Sequence, residues 1–172
     1  NASTKSKLIG LGTTLKNMEE QYGLNAMMIL ALAFHESDHG MSDHAQNYNN
    51  LFGLYVYDTD PLNKEFESVE ANILEYINSF IWEKYVPYDA PFANGAVFGS
   101  KAIGMNVKYA SDPYWGAKAA GHYYRADKYL GFKDANNPYI VGLTTTSGLN
   151  VRTAPTTAGN SLLYTYKRTK LP

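Results

Sequence analysis

The segment Ala26-Met27-Met28-Ile29-Leu30-Ala31-Leu32-Ala33-Phe34 limits how this chain can fold more than any other stretch. It reads as a helix, and a helix apolar on every face has no side to offer to water. It must lie at the centre of a domain with other elements packed around it. Asn25 is placed to cap its start. Ser37, Asp38 and Gly40 favour a stop just beyond it, so His35 and Glu36 are held at its C-terminal end. The run is shorter than the ~20 residues needed to span a bilayer, and no longer apolar run occurs in the sequence.

The elements around this helix follow from spacing. Leu8, Leu11, Leu15, Met18 and Tyr22 recur at steps of three and four, predicting an amphipathic helix over residues 5–22 that ends at Gly23. Residues 55–67 hold short β-prone pieces around Thr59-Asp60-Pro61-Leu62-Asn63, which reads as a hairpin or small β-lobe. Ser68 caps a further helix with Val69, Ile73, Tyr76, Ile77 and Phe80 on one face. Residues 86–110 read mainly as loop with short helical pieces. Asp112-Pro113 then opens a helix through Trp115, Ala119, Tyr123 and Ala126 to Gly131. After the linker 134–138 the pattern becomes strand-like, with turn residues at Ser147-Gly148 and Ala158-Gly159-Asn160. The expected fold class is therefore α+β, mainly α. A helical domain with a small β insertion covers 1–133, and the start of an all-β module covers 139–172.

Charge does not select a partner. Lys and Arg number 15 against 16 Asp and Glu in 172 residues, so no global field draws in nucleic acid or an anionic membrane. Cysteine is absent, which excludes thiolate metal sites and disulfides and suits both exported and cytosolic proteins. The 15 tyrosines suit either a carbohydrate cleft or a half-buried core. The chain starts at Asn1 without a signal-like apolar segment and reads as a mature or trimmed form.

His35-Glu36-Ser37-Asp38-His39 matches H-E-x-x-H, the zinc-protease pattern, in which two histidines four apart share a face of a continuing helix. The extended form also needs Gly at 42 and His at 45; this chain has Ser42 and Ala45, with His44 one residue out of place. A downstream Glu followed four residues later by an Asp is equally missing, since Glu65, Glu67, Glu70 and Glu75 are followed there by Val69, Ala71, Leu74 and Ser79. No third ligand is identifiable, and Asp38 and Gly40 weaken the turn that must carry His39. The expectation is that no metal and no cofactor are held. His35 then contacts the core from a helix end, and His39 is exposed on a loop.

Glu36 has a second reading. Nine preceding apolar residues and the negative end of a helix both disfavour the charged carboxylate, as a general acid for glycosidic cleavage requires. Beyond it the chain supplies Glu36-Ser37, Gly40 and Ser42, then Asn49-Asn50-Leu51-Phe52-Gly53, and later Tyr109-Ala110-Ser111-Asp112-Pro113. This ordered series, over residues 20–131, resembles the glucosaminidase family of peptidoglycan hydrolases. The resemblance implies a lysozyme-like helical lobe with a small β-lobe. It also implies hydrolysis of the β-1,4 bond after N-acetylglucosamine in peptidoglycan, by a monomer secreted to the bacterial cell wall. It makes Glu36 the general acid and places Tyr109 near the scissile bond. Asn50 and Phe52 would shape the cleft wall, Phe52 serving equally well as a core anchor, and Asp112 joins the substrate-binding set. The second carboxylate is Glu70 by the match of Glu67-Ser68-Val69-Glu70-Ala71 to the family's S-x-x-E-A stretch, with Asp58 and Asp60 as rivals. The substrate's own acetamido group is an alternative to any of them. Residues 139–172 resemble the first half of a bacterial SH3-like module through Gly148–Asn160, and such modules bind wall peptides. A muramidase, a lytic transglycosylase and an inactive wall-binding module are the competing readings.

Overall fold

A computed structural model of the chain describes residues 5–57, 64–87, 89–136, 149–158 and 162–166. It divides into two compact units, Asn1–Asn137 and Pro138–Pro172. The first is helical. Its elements are α1 (Gly12–Tyr22), α2 (Ala26–Glu36), α3 (Asp43–Tyr48), α4 (Val69–Glu75), a π-helical continuation of α4 (Tyr76–Trp82), a 3₁₀ turn (Met105–Val107) and α5 (Trp115–Tyr129). In the second unit, β1 (Leu149–Arg152) pairs antiparallel with β2 (Leu162–Tyr166). The described part is thus mainly helical with very little strand. The centre of the expected hairpin of the β insertion, residues 58–63 with Asp58 and Asp60, lies outside the described residues.

The all-apolar segment forms helix α2, which is buried on one side only: Met27, Leu30 and Phe34 stay half-buried, so burial on every face is corrected. Ile29, Ala31, Leu32 and Ala33 are essentially removed from solvent, and α5 and α1 pack against it. Asn25 caps it as expected, its Oδ1 accepting from the Met28 N–H at 2.8 Å. Ser68 likewise caps α4, accepting from Ala71 N–H at 3.1 Å. The core continues through Leu51, Ile73, Tyr76, Ile77, Ile81 and Met105, each fully buried.

Two helix starts are corrected, and one helix is added. Helix α1 starts at Gly12, not near residue 5, because the chain turns at Gly10 (φ 88°) and Lys7 N–H instead bonds the Gly40 carbonyl at 3.2 Å. Helix α5 starts at Trp115, not at Pro113. Asp112 closes a turn first, its Oδ1 accepting from Tyr114 N–H at 2.8 Å. Helix α3 was not foreseen; Ser42 caps it through Ala45 N–H, in a stretch where polar residues hide the helical period.

The far end of α5 is closed by Asp127, whose two oxygens accept the N–H groups of Asp134 and Ala135 at 2.9 and 3.0 Å. At its near end Gly116 lets the loop at Phe98 and Gly99 touch the helix backbone. A Cβ at 116 would stand 2.0 Å from the Gly99 carbonyl oxygen, so any side chain must push the loop off α5. Gly116→Ala is expected to cost roughly 1–3 kcal/mol through overpacking. Thermal unfolding should show a midpoint lowered by about 2–4 °C for each kcal/mol, and an unchanged midpoint would contradict this contact.

Candidate active site

Glu36 is the last residue of α2, half-buried, and its Oε1 accepts a hydrogen bond from the Trp115 indole Nε1–H at 2.8 Å. An indole N–H can only donate, so it holds one carboxyl oxygen and leaves Oε2 as the oxygen able to carry a proton. Trp115 is 3% exposed and stacks on Tyr109, with ring centroids 4.2 Å apart and planes 24° from parallel. The Tyr109 hydroxyl shares a 2.7 Å hydrogen bond with that of Tyr76. Tyr76 in turn lies flat on Phe52, centroids 3.8 Å apart. A continuous series of rings therefore links the carboxyl of Glu36 to the loop that follows α3. Tyr76 is also the first residue of the π-helical turn, a rare local geometry that recurs at functional sites.

The residues after Glu36 build the turn that frees it. Ser37 is fully buried; its hydroxyl donates to Ala33 O at 2.5 Å and accepts from Gly40 N–H at 2.7 Å. Asp38, His39 and Gly40 all take left-handed conformations, with φ of 48°, 59° and 77°. Only glycine fits at 40, where a Cβ would come within 2.8 Å of Ser6 Oγ and 3.1 Å of Lys7 N. The helix ends before His39, so His35 and His39 do not share a helical face, which the H-E-x-x-H chemistry requires. Among the described residues no group of three His, Asp or Glu is arranged to hold a metal ion. His35 is half-buried at the helix end, and His39 is exposed on the loop.

Asn50 and Phe52, expected at the cleft wall, are both buried in the core. Asn50 is 1% exposed. Its side chain accepts from Leu54 N–H and donates to Leu54 O, at 3.0 and 2.9 Å, and receives the Asn72 amide at 3.2 Å. Asn72 then accepts from Leu51 N–H at 2.8 Å. Asp112 is engaged with Tyr114 N–H and with Lys118, 2.6 Å away; the Lys118 contact, then the Tyr114 N–H, hold its carboxyl below the usual range. Glu70 stands exposed in the first turn of α4. Tyr109 and Glu36 are thus brought together, whereas Glu70 is placed on the solvent side of its helix. Sequence reasoning passed over Trp115 and Tyr76 as helix-packing residues. The available signal was a Trp, a donor-only aromatic, two residues after the Tyr109–Pro113 motif.

Burial, and next the charge of Glu36, push the Tyr109 phenol well above its ordinary range, against the opposing hydrogen bond from Tyr76. Burial first and then Tyr109 do the same to Tyr76. Above pH ~10 the unfolded chain releases these protons while the folded chain keeps them. Folded protein then binds more protons than unfolded, and stability falls as pH rises; below that pH the contribution is fully present. Tyr109→Phe should make this alkaline decline shallower by up to about 1.4 kcal/mol per pH unit. Denaturant unfolding across this range measures it, and equal slopes for both proteins would refute the assignment.

A family model described as mannosyl-glycoprotein endo-beta-N-acetylglucosaminidase, the Glucosaminidase family, matches residues 12–128. Two proteins of Streptococcus pneumoniae, from strains TIGR4 and R6, each carry the name "Putative endo-beta-N-acetylglucosaminidase". Each is 42% identical to this chain over 131 residues, covering 75% of it. The chain spans about a fifth of those relatives, 19% and 18% of their lengths. The matched segment runs from the first residue of α1 almost to the end of α5, enclosing Glu36, Tyr76, Tyr109 and Trp115, and this chain belongs to the Glucosaminidase family.

Proposed function

We propose that this chain is the catalytic part of an endo-β-N-acetylglucosaminidase that hydrolyses the β-1,4 bond between N-acetylglucosamine and N-acetylmuramic acid in bacterial peptidoglycan. The observation that carries this reading is Glu36 at the end of helix α2, with one carboxyl oxygen held by the Trp115 indole. Glu36 is the general acid. The proton on Oε2 passes to the leaving glycosidic oxygen as the bond breaks, and the resulting carboxylate keeps the indole N–H as a charge-assisted partner. Tyr109, fixed by its stack on Trp115 and its bond to Tyr76, orients a water or the acetamido group beside the scissile bond.

The second carboxylate is Glu70, free of the core in the first turn of α4, with Asp58 and Asp60 as rivals and substrate assistance as the other route. Asp112 contributes to substrate binding while tied to Lys118. The lysozyme-like arrangement, a small β-lobe at 55–67 and secretion to the cell wall as a monomer belong to the same reading. So does an SH3-like wall-binding role for 139–172. The division into two units near residue 137 supports treating the C-terminal segment separately. Among the described residues no helix is long and apolar enough to cross a membrane.

Glu36→Gln should abolish cleavage, a loss of about 10²–10⁴ in rate, because Gln keeps the shape but has no proton to deliver. Trp115→Phe should cost roughly tenfold or more by removing one hydrogen bond to a charged group. Glu70→Gln should lose less than Glu36→Gln, and EDTA should leave activity intact. Mass spectrometry of digested peptidoglycan reads the outcome. New reducing ends on N-acetylglucosamine are expected; ends on muramic acid, or 1,6-anhydro ends, would overturn the specificity, and full activity of Glu36→Gln would overturn the mechanism.

Deleting residues 139–172 should leave cleavage of soluble glycan fragments near the full rate while weakening retention on whole walls. A folded truncation with no activity would contradict the proposed division of labour.

A further inference from the structure

The face of α5 that carries the buried Trp115 and Ala119 continues at steps of three and four through the half-buried His122 and Ala126 to the exposed Tyr129. His122 is two turns beyond Trp115, about 10 Å along the axis at 1.5 Å per residue. The His35 ring bridges the gap, with centroids 6.3 Å from Trp115 and 5.8 Å from His122. His39, brought back by the left-handed turn after Glu36, places its ring 5.0 Å from both Phe34 and His122. These rings lead from the general acid to an open pocket of ≈ 340 Å³, lined by Leu30, Phe34, His39, His122, Arg125 and Tyr129 among others.

The chemistry of this pocket is one-sided. It is lined by one guanidinium, two imidazoles and apolar groups, and no carboxylate lines it. The Asp38 carboxylate lies outside the lining, 3.5 Å from His39 Nδ1. Arg125 Nη2 lies 3.1 Å from His122 Nδ1. Arginine can only donate, so His122 must accept there and is held as a neutral ring by that contact. Burial, then Arg125, then His39 and His35, all disfavour its protonation. The guanidinium is thereby aligned along the helix, with room supplied by Gly121, where a Cβ would lie 3.2 Å from Arg125 Nη1. On the rim, Tyr129 is 91% exposed and Leu130 48%.

We propose that this pocket is a substrate subsite for the acidic peptide carried by the glycan, Arg125 taking a peptide carboxylate and Phe34 and Tyr129 the aliphatic part beside it. The inference rests on the glycosidase reading and names the part of the substrate that lies beyond the sugars. A fork of N–H donors matches a carboxylate in a way that sugar hydroxyls do not use fully. A pocket with apolar walls and a few convergent polar groups is built for a substituent, not for an extended chain. Arg125 acts on binding and not on the bond being broken.

The test compares intact peptidoglycan with the same glycan stripped of its peptides by an amidase, using the full chain. Arg125→Ala should raise KM about tenfold on the intact polymer with kcat unchanged, and should change neither constant on the stripped one. Arg125→Glu, a reversal at an exposed position, should raise KM on the intact polymer further, with its thermal midpoint near that of the parent chain. Equal effects on both polymers, no effect on either, or a Glu variant no worse than Ala would overturn the subsite while leaving the glycosidase reading intact. If the unmodified chain cuts neither polymer, the glycosidase reading fails first and the subsite with it.

Discussion

A carboxyl group at the end of a wholly apolar helix is only partly hydrated, so a donor within the fold has to meet it. In this protein the donor is the indole of Trp115, and much of the site follows from that one bond. Bringing Trp115 to Glu36 requires α5 to pack along α2, and it requires Gly116 to admit the neighbouring loop directly behind the indole. With the indole in place, Tyr109 has a flat surface to stack on and its hydroxyl reaches Tyr76. The π-helical turn that begins at Tyr76 sits where the helix face would otherwise continue its regular period.

Most of the residues that make the motifs recognisable do not offer polar groups to a ligand. Ser37 and Gly40 terminate α2 and fold the chain back on itself. Asn50 and Asn72 join two segments through buried amides, a costly arrangement unless every donor and acceptor is met, as these are by Leu51 and Leu54. Phe52 is a base for Tyr76. The motifs hold a frame, and the frame holds one carboxyl, one indole and one phenol. A signature of this kind reports the shape of a turn as much as the chemistry beside it.

The same turn separates the two histidines of the H-E-x-x-H match. His35 and His39 are four residues apart, but the helix ends between them and three successive left-handed residues send His39 toward His122. Spacing in sequence becomes a shared face only while the helix continues. The histidines instead form part of a ring-lined path from Glu36 toward Arg125.

Local interactions were legible without the fold. The helical character of α2 and α5, the position of Glu36 at the end of α2 and the Asn25 and Ser68 caps all depend on residues within a few positions of each other, so composition and spacing determine them. The start of α1 was misplaced because a contact between Lys7 and Gly40 outweighed an otherwise regular apolar period. The Glu36–Trp115 bond joins residues 79 apart in the chain, and the Tyr76–Tyr109 bond joins residues 33 apart. No periodicity records such pairs. They exist only once α2 and α5 are packed, because side-chain hydrogen bonds need distances of about 3 Å that the whole tertiary structure, and not any segment of it, sets.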